Sequence, residues 1–177
     1  MSEDDCWTED ENGVPSPIDW RSWEPGIRAT LMFVKDGADV LLIRKMRGIG
    51  AGKINAPGGK IDLGETPLQS AIRETQEEVE VTPINPRKMG ELSFAMTDMP
   101  DIFVHVFMAG AHEGTPVETP EAIPMWTPQY KIPYELMWED DQYWLPRMLE
   151  GERFRARFKF EGERIVWKRL AWGVNYH

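Results

Sequence analysis

Apolar and polar residues alternate, weakly, over Ile27–Lys35, which predicts a strand. Asp36-Gly37 carries a hairpin turn signal, and Val40–Arg44 reads as the returning strand. Lys45–Gly59 holds five Gly and one Pro and is expected to be a loop. From Pro67 to Val81 the period changes to that of a helix. Thr66 fits the cap, Pro67 the first turn, and Pro83 and Pro86 lie beyond the end. On that helix Leu68, Ile72, Thr75 and Val79 share one stripe and are predicted to face the core. Lys88–Met96 and Ile102–Gly110 read as strands about an Asp/Pro turn, and Ala122–Trp126 as a shorter one. Asp140–Glu150 predicts a second helix despite Pro146. Arg153–Phe160 and Arg164–Leu170 alternate strictly about Glu161-Gly162 and predict a C-terminal hairpin. Strands and single helices in this order give an α+β domain rather than a doubly wound sheet.

The 177 residues suit one domain. Met1 to about Pro25 differs in composition. Six acids and no base lie in Met1–Gly13, three prolines follow, and Trp7, Trp20 and Trp23 are available as anchors. The expected organisation is an extension over residues 1–25 with its first dozen residues disordered, a domain over 26–171, and a short tail over 172–177. The net charge of −10 disfavours a nucleic-acid partner, which calls for a basic face. It does not disfavour an anionic substrate reached through a divalent cation. Cys6 is the one cysteine, so neither an internal disulfide nor a thiolate zinc site is expected. No basic segment leads into an apolar run and no apolar stretch reaches membrane-span length, so no signal peptide and no membrane partner are expected. A cytoplasmic monomer is the default expectation. Eight Trp and ten Met suggest a core or pocket rich in large, polarisable side chains.

The candidate chemistry sits on the first helix. Glu74, Glu77 and Glu78 are related as i, i+3 and i+4 and span an arc of about 100°, opposite the apolar stripe. Like charges this close repel unless a cation relieves them, and hard oxygen ligands suit magnesium or manganese. Gly58-Gly59 lets backbone approach closely, and Lys45, Arg47, Lys53 and Lys60 are near enough in sequence to meet phosphate oxygens. Three glutamates on a helix are, taken alone, more often a solvated face. The longer pattern is more specific. It runs from Gly59, five residues, Glu65, then seven residues, to Arg73-Glu74-Thr75-Gln76-Glu77-Glu78-Val79-Glu80-Val81.

This pattern resembles the signature box of the Nudix hydrolases, with Thr75 in place of an aliphatic residue and Glu80 in place of glycine. The resemblance implies a Nudix fold, a mixed sheet sandwiched between helices. It implies that Glu74, Glu77 and Glu78 hold Mg2+ (or Mn2+), that the Gly59 carbonyl joins them, that Glu78 helps activate water, and that Arg73 orients the carboxylates through Glu65 or Glu77. Beyond the box, the segments Arg47–Asn55, Pro57–Lys60, Val104–Phe107, Gly114–Glu118, Met137–Trp144 and Phe158–Gly162 are similar to the animal oxidised purine nucleoside triphosphatases, relatives of MutT. That similarity spans about Leu31 to Ile165. It implies that Asn55, Asp140 and Asp141 hold a purine, that Trp138 stacks beside it, that Phe94 forms a wall, that Lys45 meets the substrate, and that Glu121 adds a carboxylate near the metal.

The chemistry is sound on its own terms. An Asn side chain offers donor and acceptor together, and two adjacent buried carboxyls do not both ionise readily, so one donates while the other accepts. Ile49 and Ile54 replace aromatics of the animal relatives, and Ala56-Pro57 a Gly-aromatic pair, which implies a differently shaped pocket. Asp140-Asp141 alone would read as a helix cap with a first-turn acid, Asn55 as a turn residue, and His105 as a satisfied structural histidine. The implied reaction is hydrolysis of 8-oxo-dGTP, 2-oxo-dATP or O6-methyl-dGTP to monophosphate and pyrophosphate. Two alternatives stay open: another substrate such as ADP-ribose or a dinucleoside polyphosphate, and a non-catalytic nucleotide-binding module.

Overall fold

The computed structural model describes residues 7–176. Eleven strands and two helices follow one another: β1 (Ile27–Asp36), β2 (Asp39–Lys45), β3 (Ile54–Asn55), β4 (Gly58–Lys60), α1 (Pro67–Val79), β5 (Thr82–Ile84), β6 (Arg87–Ala95), β7 (Ile102–Ala109), β8 (Ala111–Glu113), β9 (Ala122–Pro128), α2 (Asp141–Leu149), β10 (Phe154–Glu161) and β11 (Arg164–Trp172). The expected strands and both helices are present, with ends moved by a residue or two. The glycine-rich stretch expected to be a loop contains the short strands β3 and β4. The β5–β8 pair was not expected, because Thr82–Ile84 carries two turn-like features, Pro83 and brevity.

The main sheet is mixed, in the order β11-β10-β6-β7-β1-β2-β3, with β4 added to β1 and β9 to β2. β1 runs parallel to β7 and β10 parallel to β6, while the other pairs in this sheet are antiparallel. β1 and β2 pair only near their turn, at Lys35↔Val40 and Asp36↔Asp39. Further along, β1 takes β4 as its neighbour and β2 takes β3 and β9. The sheet therefore parts between β1 and β2, and the cavity described below lies in this opening.

Alternation along β1 explains the layers. Met32 and Val34 point to one face, where they pack with Ala71 and Val79 of α1. Phe33 points to the other and meets Trp144 of α2 edge to face, with ring centroids 5.8 Å apart. A helix thus covers each face of the sheet, the arrangement expected.

The first helix differs from its predicted form in two respects. It ends at Val79, not Val81, because Glu80 takes the left-handed conformation (φ 59°) and closes the helix. Its buried stripe is Ser70, Ala71, Thr75, Glu78 and Val79, with Leu68 exposed and Ile72 half-buried. The inward face is rotated relative to the expected one, which turns Glu78 inward instead of leaving it opposite the core. The N-terminus is as expected. The Thr66 hydroxyl accepts from the Gln69 N–H, and the Gln69 side chain accepts from the Thr66 N–H.

Met1–Cys6 lie outside the described residues. Trp7–Gly13, expected to be disordered, form a turn instead: the Asp10 carboxylate accepts from the N–H groups of Asn12 and Val14. Trp7 and Trp20 are buried with Trp167 and Ala95, and the Trp167 indole donates to the Val14 carbonyl at 3.1 Å.

Candidate active site

Three carboxylates converge where α1 faces the opening in the sheet. Glu74, Glu78 and Glu121 each bring an oxygen within 4.8 Å of the others. Glu78 is 3% exposed, Glu74 and Glu121 half-buried. Close backbone packing makes the convergence possible. Gly58 sits against β1 so tightly that a Cβ there would lie 1.9 Å from the Thr30 carbonyl oxygen, and a Cβ on Gly59 would lie 2.5 Å from the Glu74 carboxyl carbon. The Gly58 N–H donates to Glu78 Oε1 at 3.2 Å. Glycine at both positions lets the β4 backbone lie directly beneath the carboxylates.

Arg73 organises the rim. Its guanidinium donates to both oxygens of Glu65 at 2.7 and 2.9 Å, to Glu74 at 2.9 Å and to Glu77 at 3.1 Å. The guanidinium thus contacts Glu65 and Glu77 together, where the expectation was one or the other, and Glu74 as well. Arg73 also caps the Lys60 carbonyl. The two-point contact with Arg73 holds the Glu65 carboxyl down at about 2. Glu77 remains exposed on Arg73 and is not brought into the three-carboxylate cluster.

Burial pushes the Glu78 carboxyl up to about 8, opposed by the Gly58 N–H and reinforced by the charge of Glu74. Burial likewise raises Glu74, against the pull of Arg73. Carboxyls held this close in partial burial, only partly offset by Arg73 at Glu74 and by Arg47 at 3.9 Å from Glu121, form a donor set that fits a divalent metal ion. Thr119 was missed by sequence reasoning. Its hydroxyl donates to the Glu78 carbonyl at 2.7 Å and accepts from the Glu121 N–H at 3.3 Å, joining the backbones of two of the three acids. A Thr two residues before a Glu in a loop gives no local signal of such a role.

The cluster forms one end of a cavity of about 300 Å³. Asn55, Asp140, Asp141, Trp138, Phe94, Lys45 and Gly59 all line it. The Asn55 side-chain oxygen accepts from the Ala56 N–H at 2.8 Å, which leaves its amide N–H groups for a ligand. Asp140 and Asp141 are 3% and 2% exposed. Asp140 begins α2 without capping it, since its carboxylate accepts instead from the Trp144 indole at 2.9 Å. The i, i+4 spacing of Asp140 and Trp144 is the signal that could have paired them. Burial raises Asp140 to about 6, despite the Trp144 bond. Burial and the Asp140 charge raise Asp141 well above the carboxylate range. One oxygen of Asp141 has no partner among the described residues, an uncommon state for a buried polar atom. Trp138 is held from behind, its ring edge-on to Phe160 at 6.1 Å and with Lys53 Nζ 5.0 Å from its centroid. Met96, Met99, Ile102 and Phe160, which were not singled out from the sequence, complete the apolar wall.

His105 is half-buried, its Nδ1 is 3.0 Å from Lys88 Nζ, and burial with the Lys88 charge lowers it to about 4. No helix of the described residues is long and apolar enough to cross a membrane.

The arrangement joins a hard-metal donor set to an apolar slot that ends in buried hydrogen-bonding groups. The NUDIX domain model matches residues 25–148. An oxidized purine nucleoside triphosphate hydrolase of Danio rerio is 42% identical over 138 residues, covering 77% of this chain and 88% of its own. The protein of the same name from Mus musculus is 39% identical over the same shares. A crystal structure of a MutT protein from Bacillus halodurans superposes with a TM-score of 0.72 at 30% identity, covering 81% of this chain and 97% of its own. The chain belongs to the NUDIX family of hydrolases.

Proposed function

We propose that the protein hydrolyses oxidised or otherwise modified purine nucleoside triphosphates to the monophosphate and pyrophosphate with Mg2+, and with Mn2+ as a substitute. 8-oxo-dGTP, 2-oxo-dATP and O6-methyl-dGTP are the candidate substrates. The observation that carries this reading is the pair Asp140 and Asp141, both buried in the lining of the cavity, with one Asp141 carboxylate oxygen unpartnered among the described residues. A carboxyl kept neutral by burial donates, and an ionised neighbour accepts. The same two groups then read the altered donor and acceptor edges of oxidised guanine and oxidised adenine by moving one proton. Asn55 adds two donors, and Trp138 and Phe94 supply stacking faces. The names of the Danio rerio and Mus musculus relatives support the same substrate class.

In this reading Glu74, Glu78 and Glu121 would hold Mg2+, with the Gly59 carbonyl beside them, while Glu77 stays on Arg73 at the rim. The ion, when bound, neutralises phosphate charge and makes bound water more acidic. Arg73 keeps Glu74 turned toward the cluster. Glu78, buried and fixed by the Gly58 N–H, is the residue placed to take a proton from water. Lys45 lines the same cavity and in this reading meets phosphate oxygens. Catalysis is positioning plus electrostatics. The reading assigns this work to residues 26–171 of a cytoplasmic monomer.

The test is product analysis with the purified protein and 8-oxo-dGTP. Wild type with Mg2+ releases pyrophosphate and monophosphate. Glu78→Gln loses at least about 100-fold in kcat, the scale of general-base loss, and still binds the nucleotide. Undiminished turnover in Glu78→Gln removes Glu78 from its assigned role.

A further inference from the structure

The N-terminal extension lies largely outside the matched family domain, yet it reaches the wall of the base cavity. The connection runs through Asp101, the last residue of the turn between β6 and β7. One carboxylate oxygen of Asp101 accepts from the Met96 N–H at 2.8 Å, across the mouth of that turn. The other accepts from the Trp23 indole at 2.7 Å. The Asp101 carbonyl accepts from the N–H groups of Gly26 and Ile27 at 2.9 and 3.0 Å. Trp23 is itself braced edge-on by Trp20, with centroids 5.5 Å apart, and Trp20 is buried against Trp167. Met96 and Met99, at the start and middle of the same turn, line the cavity.

Methionine side chains are pliable, so the shape they give a wall depends on where their backbone is held. The carboxylate of Asp101 closes the turn with one oxygen and ties it to the extension with the other. Discrimination between a modified base and its parent is a difference of contact energies at such a wall.

We propose that Trp23 is a specificity-determining positioning residue. By holding Asp101 it fixes the turn between β6 and β7 so that Met96 and Met99 close the side of the nucleobase slot. This rests on the reading of the cavity as the base site.

The experiment compares the full-length wild type with Trp23→Phe, which keeps the aromatic packing and removes the N–H donor. Asp101→Asn is a second route, since an amide has one acceptor oxygen where two are used. Trp20→Phe is the control, because the Trp20 indole N–H has no partner among the described residues. Kinetics are measured on the nucleotide that wild type cleaves best and on its unmodified or modified counterpart. Trp23→Phe and Asp101→Asn are expected to raise KM about three- to tenfold, the scale of one hydrogen bond. They are expected to leave kcat within about twofold, since the carboxylate cluster is untouched, and to narrow the preference between the two bases. Trp20→Phe is expected to keep both KM and preference. Unchanged KM and preference in Trp23→Phe and Asp101→Asn overturns the proposal, as does an equal shift in Trp20→Phe, which would mean general loosening of the extension. A wild type that shows no preference for a modified purine sinks the base-site reading instead, and the KM comparison still decides whether Trp23 shapes the slot.

Discussion

At the scale of single residues, the cavity draws its polar groups from separate segments of the chain. Asn55 is far along the chain from Trp138, Asp140 and Asp141, and the fold brings all four to one cavity. Their grouping was legible only through resemblance, because no local rule distinguishes an acid that caps a helix from one that ends a pocket. Once buried, Asp140 and Asp141 acquire a measurable signature. An Asp in an unfolded chain ionises near pH 4, about the usual carboxylate value. In the fold Asp140 ionises at about 6 and Asp141 well above the carboxylate range. Between the unfolded and folded values the unfolded chain holds fewer protons than the native one, so stability falls as pH rises through that window. Asp141→Asn removes this dependence for one group. In metal-free protein the variant is therefore expected to gain stability relative to wild type as pH rises from 4 to 8, by at most about 1.4 kcal/mol per pH unit for one proton, read as a widening difference in melting temperature. A difference in melting temperature that stays constant across this range would show that Asp141 is not held neutral by burial.

At the scale of elements, periodicity located α1 and its cap but misjudged its inward face. Thr75 and Val79 of the expected stripe do face the core, but Ala71 and Glu78 join them there while Leu68 is exposed and Ile72 only half-buried. Thr75 fits there because its hydroxyl donates to the Ala71 carbonyl at 2.8 Å and needs no other partner. Burying Glu78 costs free energy that an apolar-stripe rule counts as a mistake, and a helix that turns a carboxylate into a site departs from the rule at that position. The C-terminus follows similar logic. Glu80 stands where the family's box has glycine, and the chain keeps the left-handed turn regardless, at φ 59°. A side chain in that conformation costs roughly 1 kcal/mol. Glu80→Gly is expected to raise stability by about 0.5–1 kcal/mol, read as a higher urea midpoint with an unchanged slope. A lower midpoint would mean that the Glu80 side chain contributes more than its backbone costs.

At the scale of the whole molecule, the parting of β1 from β2 makes the site. One side of the opening carries the carboxylates of α1 with β4 beneath them, and the other leads to Asp140 and Asp141 at the start of α2. Strand order was the least legible feature, since β6 and β10 are parallel neighbours about sixty residues apart and nothing local specifies that pairing. The extension was partly legible from its tryptophans. Trp7, Trp20 and Trp167 bury one another, and Arg157 lies 4.8 Å from the Trp7 ring centroid. Trp167→Ala is expected to cost about 3–5 kcal/mol, as for other buried aromatics, and to speed proteolytic cleavage within residues 7–25. Cleavage there at the wild-type rate would mean that the extension is held independently of this cluster. The most direct test of the proposed activity is the ratio of kcat/KM for 8-oxo-dGTP to that for dGTP, measured with wild-type protein and Mg2+. A buried Asp140–Asp141 pair that reads the base edge predicts a ratio well above one, and a ratio near one, or no pyrophosphate from either nucleotide, would contradict it.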